Sequence, residues 1–456
     1  MLGDGEARSN HRYAPLPGCV GSFHPLTSNG VLNIIHVVNK SYSGREYFYE
    51  RWLAPLLHAA IQEHPVVVLS GARQAGKSTL LQRSEMLKDW RYQDLDDFDA
   101  LQQAREQPEE LWAGTDRVII DEVQRVPETL LAVKRAVDRG RGRKRFVLSG
   151  SANLLLHRDV TESLAGRAVY LVLHPLTLGE IHAAQPPHLL ALLLKGERAE
   201  EEHAPLPARS ETIDLLLRGF MPPLTRLEST PAWDRWWEGY IATYLERDLR
   251  QFAQIESLVD FRRLMRLAAL RTGQILNQSG LGRDAALSQP TAHRYLNLLE
   301  TTQLFERLPP FLESRSLRLV KAPKCFWNDP ALAAHLSGYY DGESLRMSRE
   351  LGSYFESMIF HHLRVLAQLM TPSAKLYYWR TRNGPQEVDF VFEHGHRLLG
   401  IEVKWSTEVG YRDTASLRSF LDHHPRAAGG LILYAGGAPR QLGPKILAVP
   451  WSWITG

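Results

Sequence analysis

The chain has 456 residues, a length that accommodates roughly three domains at about 150 residues each. With 44% hydrophobic and 23% charged residues its composition is globular, which excludes a chain disordered throughout. A net charge of +3 does not by itself establish nucleic-acid binding. The only cysteines, Cys19 and Cys325, exclude a disulfide framework and a four-cysteine zinc site, in keeping with a reducing cytoplasm.

No apolar run approaches the ~18 residues of a membrane span. The longest candidate, residues 187–194, stops at Lys195, Glu197 and Arg198. The N-terminus lacks the basic-then-apolar layout of a secretory signal. Residues 1–45, rich in Gly, Ser, Asn, Pro and His, read as a loose tail or an upstream extension, with residues 31–38 as one candidate strand.

Folded sequence begins near Glu46, where Tyr47, Trp52, Leu56, Leu57 and Ile61 recur at helical spacing until Pro65. Residues 66–69 form a short apolar β-branched run, the mark of a strand buried on both faces. Residues 118–120 and 146–148 are two more such runs, each followed by a helical pattern, which predicts a parallel sheet with helices on both faces. Pro186, Pro187, the acidic stretch 197–202, Pro205 and Pro207 mark a boundary. Residues 233–300 read as helical. The last third returns to mixed α/β, with 388–392 and 398–403 as adjacent strands.

Gly71, Ala72, Arg73, Gln74, Ala75, Gly76, Lys77 and Ser78, followed by Thr79, match the phosphate-binding pattern G-x-x-x-x-G-K-[ST] between a strand and a helix expected at 79–85. Glycines let successive backbone N–H groups face the phosphates of ATP, above the positive end of the helix dipole. Lys77 is expected to reach the β- and γ-phosphates, and the Ser78 hydroxyl to complete a Mg2+ shell. The strand at 117–120 ends in Asp121 and Glu122. Asp121 is then the carboxylate beside the Mg2+, and Glu122 the base that orients and deprotonates the attacking water.

The third strand ends in Ser149, Gly150, Ser151, Ala152 and Asn153. Ser149 or Ser151 is a candidate sensor of the γ-phosphate, and a plain turn is the competing reading. Arg167, in Leu164-Ala-Gly-Arg, is the candidate charge-neutralising arginine, in cis or from a neighbouring subunit. A surface salt bridge is its alternative.

These residues make the chain recognisable. It resembles prokaryotic AAA-type ATPases that carry a C-terminal region of unknown function. The resemblance rests on Gly-Ala-Arg-Gln-Ala-Gly-Lys-Ser-Thr at 71–79, Ile-Asp-Glu-Val-Gln at 120–124, Leu-Ser-Gly-Ser at 148–151, Leu-Ala-Gly-Arg at 164–167 and Thr-Tyr-Leu-Glu-Arg-Asp-Leu at 243–249. It spans about residues 46–456 and implies an ATP-hydrolysing P-loop core with an additional strand, often on DNA-associated proteins, and assembly as a homo-oligomer or ring. The family usually has Thr where this chain has Ser149, which keeps the hydroxyl.

Further along, residues 260–271 and 275–285 are helical, and Ser288 and Pro290 open another helix. On it Ala292, Tyr295, Leu296 and Leu299 share one face, leaving Thr291, His293, Arg294 and Asn297 outward as on a recognition helix. Residues 305–311 read as a hairpin wing. Residues 240–330 hold 13 Lys and Arg against 9 Asp and Glu. Arg315, Arg318, Lys321 and Lys324 extend this basic patch toward DNA. The competing reading is a winged helix that serves only as a packing module.

In the last third, Glu387-Val-Asp389 and Gly400-Ile-Glu402-Val-Lys404 alternate as neighbouring strands, with Glu402 and Lys404 on one face. Asp389 can meet them, and Glu356, on a helix, supplies a third carboxylate. Asp389 and Glu402 would hold Mg2+ while Lys404 polarises a phosphate or water. The pattern is similar to the PD-(D/E)xK nucleases, against a salt-bridged sheet edge. Trp379, Arg380 and Arg382 are candidate stacking and phosphate-binding groups.

The expected organisation is α/β: a tail at 1–45, a parallel-sheet P-loop ATPase domain at 46–185 and a helical connector at 186–258. A winged helix-turn-helix at 259–330 and a restriction-endonuclease-like domain at 331–456 complete it. The function expected is an ATPase acting on DNA, branched or junction DNA included. Its rival is a signalling ATPase of the STAND type that switches a protein partner, with an inactive nuclease-like domain.

Overall fold

Val66–Ser70 (β1) is an unbroken buried run with no polar side chain before Ser70. In the computed structural model, which describes residues 48–140, 142–150, 164–197, 207–243, 255–381 and 386–456, it lies inside a five-stranded parallel sheet. The tail, Ser151, Asn153, Arg382 and most of the 243–249 motif fall outside the described residues. The other strands are Arg91–Asp94 (β2), Arg117–Asp121 (β3), Arg145–Ser149 (β4) and Ala168–Val172 (β5). Their order is β2-β3-β4-β1-β5, so β4 separates the strand before the glycine-rich loop from the strand ending in the acid pair.

Alternation along each strand feeds two cores. Val66, Val68, Val118, Ile120, Phe146 and Leu148 pack with the helix Thr129–Arg139 through Leu130 and Val133. Val67, Leu69, Ile119 and Val147 pack with Leu57 and Ile61 of the helix Ala54–Glu63 and with Leu80 and Leu81. The first described helix starts at Ala54, where Pro55 favours the opening turn; Glu46 and Tyr47 fall outside the described residues. The helix after the glycine-rich loop starts at Lys77, two residues earlier than expected, with Gly76 as its left-handed cap at φ 96°.

The middle of the chain holds the helices Arg209–Arg218, Thr230–Tyr240, Leu258–Ala269, Gln278–Asp284 and Gln289–Thr301, followed by Phe305–Leu308 (β6). The expected hairpin within 305–311 does not form. β6 pairs antiparallel with Lys324–Trp327 (β7), and the connection between them carries the helix Arg315–Val320. Pro309 and Pro310 cannot continue a ladder. Instead the chain leaves along the C-terminal sheet, where Phe311 N–H donates to the Tyr378 carbonyl at 2.6 Å.

That sheet has six strands in the order β12-β13-β11-β10-β9-β8. They are Lys375–Arg380 (β8), Glu387–His394 (β9), Arg397–Lys404 (β10), Gly429–Tyr434 (β11), Arg440–Gly443 (β12) and Ile446–Pro450 (β13). β8, β9 and β10 are antiparallel, whereas β10, β11 and β13 run parallel. Phe355, Ile359 and Leu363 of the helix Leu351–Leu369 cover one face, and Leu417 and Phe420 of the helix Ala415–His423 cover the other. At Gly400 a Cβ would lie 2.9 Å from the Phe420 ring, so this close approach needs glycine. Among the described residues no helix is long and apolar enough to cross a membrane.

Candidate functional site

β1 and β3 end at the same edge of the parallel sheet, which brings the loop 71–78 toward Asp121 and Glu122. Gly71 passes so near Leu173 that a Cβ would stand 2.4 Å from its carbonyl oxygen. Lys77 is buried, and its Nζ donates to the Gly71 and Ala72 carbonyls at 3.1 Å each. Burial holds its pKa below the ordinary lysine value, against the pull of Glu122 and Asp121. Burial likewise raises the Glu122 carboxyl above the usual range, opposed by Lys77. Lys77 and Glu122 therefore sense one another across the loop.

Asp121 is buried at the end of β3, accepting from the Tyr92 hydroxyl and, at 3.0 Å, from Glu122 N–H. Glu122 adopts a left-handed backbone, φ 54°, and accepts from Gln124 Nε2. Ser149, at the end of β4, is fully buried with its Oγ unpartnered. The next residue, Gly150, abuts Gln124, whose Oε1 is also unpartnered. Ser78 is half-buried in the first helical turn, while Arg73, Gln74 and Thr79 face solvent.

Sequence reasoning placed Gln124 in a motif without a role, and missed Tyr92 and Arg51. Arg51 is buried, pairs with Glu180 at 3.1 Å, and donates to the Ala75 carbonyl at 2.9 Å and the His174 carbonyl at 2.6 Å. It clamps the glycine-rich loop to the chain after β5. An arginine outside any motif carries no local sign of this role.

Arg167 stands elsewhere. β5 runs parallel to β1 with Val66 beside Ala168, so Arg167 lies at the edge of the sheet opposite the phosphate-binding loop. Five strand residues separate the two edges by roughly 13 Å. The arginine is instead paired with Asp138, Nε to Oδ1 at 2.6 Å and Nη2 to Oδ2 at 3.1 Å. A neutralising role in cis is thereby corrected to a salt bridge.

On the helix Gln289–Thr301 the buried face is Ala292, Tyr295, Leu296, Leu298 and Leu299. His293 and Arg294 are exposed, and Thr291 and Asn297 half-buried. Arg294 pairs with Glu256 at 3.0 Å, and Asn297 accepts from Arg307 Nη2 at 2.7 Å. Arg315 and Lys321 are exposed, but two members of the expected basic patch are not. Arg318 is buried over the Phe311 and Tyr377 rings with Glu393 at 3.2 Å. Lys324 is buried at 2% exposure. Neither can meet DNA from this position, because each is consumed by an internal ion pair.

Lys324 lies among the C-terminal carboxylates. Its Nζ is 2.7 Å from Glu387, 3.0 Å from Glu356 and 3.5 Å from Asp389. Burial disfavours the ammonium, but these three acids outweigh it and hold the pKa above the ordinary value. Asp389 accepts from Val403 N–H at 2.8 Å at the end of the β9–β10 ladder. Glu402 is buried, its Oε2 paired with Lys404 at 3.0 Å and its Oε1 unpartnered. Burial, then the charge of Asp389, raises the Glu402 carboxyl. Glu356 is raised by burial too. Of the expected carboxylates, Glu356 and Asp389 converge on Lys324, while Glu402 pairs with Lys404. Among the described residues no group of three or more His, Cys, Asp or Glu is arranged to hold a metal ion. Lys324 is thus the cation beside Asp389, and Lys404 the cation beside Glu402, where Mg2+ was expected between the two acids.

Comparison with known proteins agrees with the nucleotide site. A family model described as an AAA domain matches residues 63–182. Two described as domains of unknown function, DUF8612 and DUF4143, match residues 209–342 and 351–454. The uncharacterized proteins Rv2008c of Mycobacterium tuberculosis and Mb2031c of Mycobacterium bovis are each 31% identical over 399 residues, 87% of this chain and 82% of theirs. Among solved structures, the Walker-type ATPase PABY2304 of Pyrococcus abyssi is similar at 18% identity, covering 64% of this chain and 97% of that one, with a TM-score of 0.41.

Proposed function

Because the chain belongs to the same family as the mycobacterial protein Rv2008c and carries an AAA-domain P-loop ATPase core, we propose that it couples ATP hydrolysis to the binding of DNA. One observation carries the coupling. The helix Gln289–Thr301 presents His293 and Arg294 to solvent, and the turn that follows it touches the residue before the phosphate-binding loop, Gln303 Nε2 to Ser70 Oγ at 3.4 Å. A face able to meet a phosphate backbone and the nucleotide loop are thus joined through Gln303, in the turn after this helix.

In the ATPase cycle the backbone N–H groups of the loop 71–78 would bind the phosphates. Lys77 would exchange the Gly71 and Ala72 carbonyls for phosphate oxygens. The raised Glu122 carboxyl suits it to take a proton from the attacking water. The unpartnered Ser149 hydroxyl fits a sensor of the γ-phosphate. Ser78 and Asp121 are the groups that would hold Mg2+, an oxygen-seeking ion that neutralises phosphate charge.

On this reading the helices Leu258–Ala269, Gln278–Asp284 and Gln289–Thr301, with the two-stranded sheet of β6 and β7, act as a winged helix. The C-terminal sheet is a nuclease-like domain that engages the DNA backbone without cutting while Lys324 fills its carboxylate cluster. Arg315 and Lys321 remain as exposed phosphate contacts. The test is binding of duplex and branched DNA across a salt series, with and without ATP. Phosphate contacts predict affinity falling steeply with salt.

A second reading, a regulatory ATPase switching a protein partner, draws on the engagement of Arg294, Asn297, Arg318 and Lys324 within the protein itself. Salt-insensitive or absent DNA binding would favour it.

A further inference from the structure

We propose that a cavity where β5, β6 and the helix Leu351–Leu369 meet is a binding site for a free guanine nucleoside. The inference rests on the cavity's unpartnered polar atoms and is independent of any contact with DNA.

The cavity has a volume of about 400 Å3 and lies between Val172 at the end of β5, Phe305 and Leu308 of β6, and Arg364 of the helix. That is room for a two-ring heterocycle, and the apolar side chains suit its flat faces. The charges around it are matched within the protein. Arg364 Nη1 pairs with Glu306 at 3.2 Å, and Glu300 pairs with Arg307 at 3.5 Å. Burial lowers the pKa of His174 well below the ordinary histidine value, so that ring is neutral near pH 7. A site with no spare charge favours an uncharged ligand, and the carboxylates of Glu300 and Glu306 oppose a phosphate.

Three enclosed polar atoms on its lining residues have no partner among the described residues. Asn328, 6% exposed, donates from Nδ2 to the Gln303 carbonyl at 2.6 Å, which fixes the amide and leaves Oδ1 over. Gln303 donates from Nε2 to Ser70 Oγ at 3.4 Å and likewise leaves Oε1. Arg364, 7% exposed, commits Nη1 to Glu306 and Nη2 to the Asn328 carbonyl at 3.3 Å, leaving its Nε–H. Two acceptors and one donor call for a ligand with two donors and one acceptor. Guanine carries that set along one edge, its N1–H and N2–H2 donors beside the O6 acceptor. Adenine has a single donor group among ring-nitrogen acceptors and would leave one amide oxygen unmatched.

The experiment is calorimetric titration of the full-length protein with guanosine, inosine and adenosine, in saturating Mg2+ and ADP so that the phosphate-binding loop is already occupied. Guanosine is expected to bind wild type with a Kd below about 100 μM and to raise its thermal midpoint. Inosine, which lacks the 2-amino donor, should bind at least about tenfold more weakly, and adenosine should not bind up to about 1 mM. Ala374→Trp, at a half-buried position lining the cavity, should fill it and abolish guanosine binding. Gln303→Met, which keeps the length of the side chain and removes its acceptor, should weaken guanosine by about tenfold. The proposal is overturned if wild type does not bind guanosine, if inosine or adenosine binds as tightly, or if a folded Ala374→Trp binds guanosine undiminished. Should Ala374→Trp not fold, undiminished binding by Gln303→Met overturns it instead. Neither DNA nor ATP turnover enters the measurement, so failure here is distinct from failure of the proposed coupling.

Discussion

Gln303 Nε2 lies 3.4 Å from Ser70 Oγ, joining the turn after the Gln289–Thr301 helix to the last residue of β1. Gln303 takes a left-handed backbone at φ 57°, and its carbonyl accepts from Asn328 Nδ2 at 2.6 Å, just beyond β7. The end of the nucleotide strand, the exposed helix face and the strand bearing Lys324 therefore meet at one glutamine. Gln303→Ala is expected to leave ATP affinity within about threefold, because no phosphate contact is lost, while abolishing any change in turnover caused by DNA. Turnover assays with and without duplex check this, and retained stimulation would reject Gln303 as the link.

At the phosphate loop, Lys77→Ala should lose nucleotide binding or turnover. Glu122→Gln should bind ATP but turn over slower by about a hundredfold or more, since a positioned base contributes on that scale. Nucleotide binding followed by fluorescence, with phosphate release measured in parallel, separates the two. Normal turnover in Glu122→Gln would remove the base from Glu122.

For Arg167 the expectation follows from its place at the far edge of the sheet and its pair with Asp138. Arg167→Ala should leave turnover unchanged in dilute protein, where each chain acts alone. Any loss should appear only at concentrations where turnover per chain rises, as a homo-oligomer with an arginine acting in trans requires. Turnover against protein concentration, alongside sedimentation, measures it; a loss in a proven monomer would contradict the opposite-edge geometry.

Acidification should loosen the seam between the chain after β5 and the helix Leu351–Leu369. His362 Nε2 accepts from Leu178 N–H at 3.1 Å and its Nδ1 donates to the Met358 carbonyl at 2.8 Å, so the buried ring is neutral. Burial pushes its pKa down to about 4, and the buried His361 and half-buried His174 are lowered by the same cause. The unfolded chain binds more protons below its own pKa of about 6.5, so this stability is complete above that pH and is lost as pH falls toward 4. For His362 alone the full shift corresponds to roughly 3 kcal/mol. Denaturant midpoints between pH 7 and 4 should fall, and His362→Gln should flatten the slope. A midpoint independent of pH in that range would refute the account.

Much of this protein is legible in contiguous sequence. The runs at 66–69, 118–120 and 146–148 became β1, β3 and β4 because an unbroken apolar stretch can be satisfied only where both faces of a strand are covered. Loop 71–78 and the acids 121–122 were equally readable, since phosphate binding needs a short succession of backbone N–H groups and a lysine at fixed spacing. The helix face of Ala292, Tyr295, Leu296 and Leu299 followed from the helical period.

Only the tertiary structure decided what the isolated charges do. Lys324 read as one more cation in a basic stretch, yet β7 docks against the helix Leu351–Leu369 and β9, and three acids distant in sequence enclose it. Arg318 and Arg167 are the same case, each set by a partner, Glu393 or Asp138, that no local pattern names. β6 paired with β7 rather than within 305–311, because a proline pair ended the strand and the next backbone groups found their hydrogen bonds on β8. Periodicity reports which face of an element avoids water, and that is a local property. Whether a lysine meets solvent, DNA or buried carboxylates depends on how separate elements pack, because desolvation and charge pairing are fixed only when those elements come together.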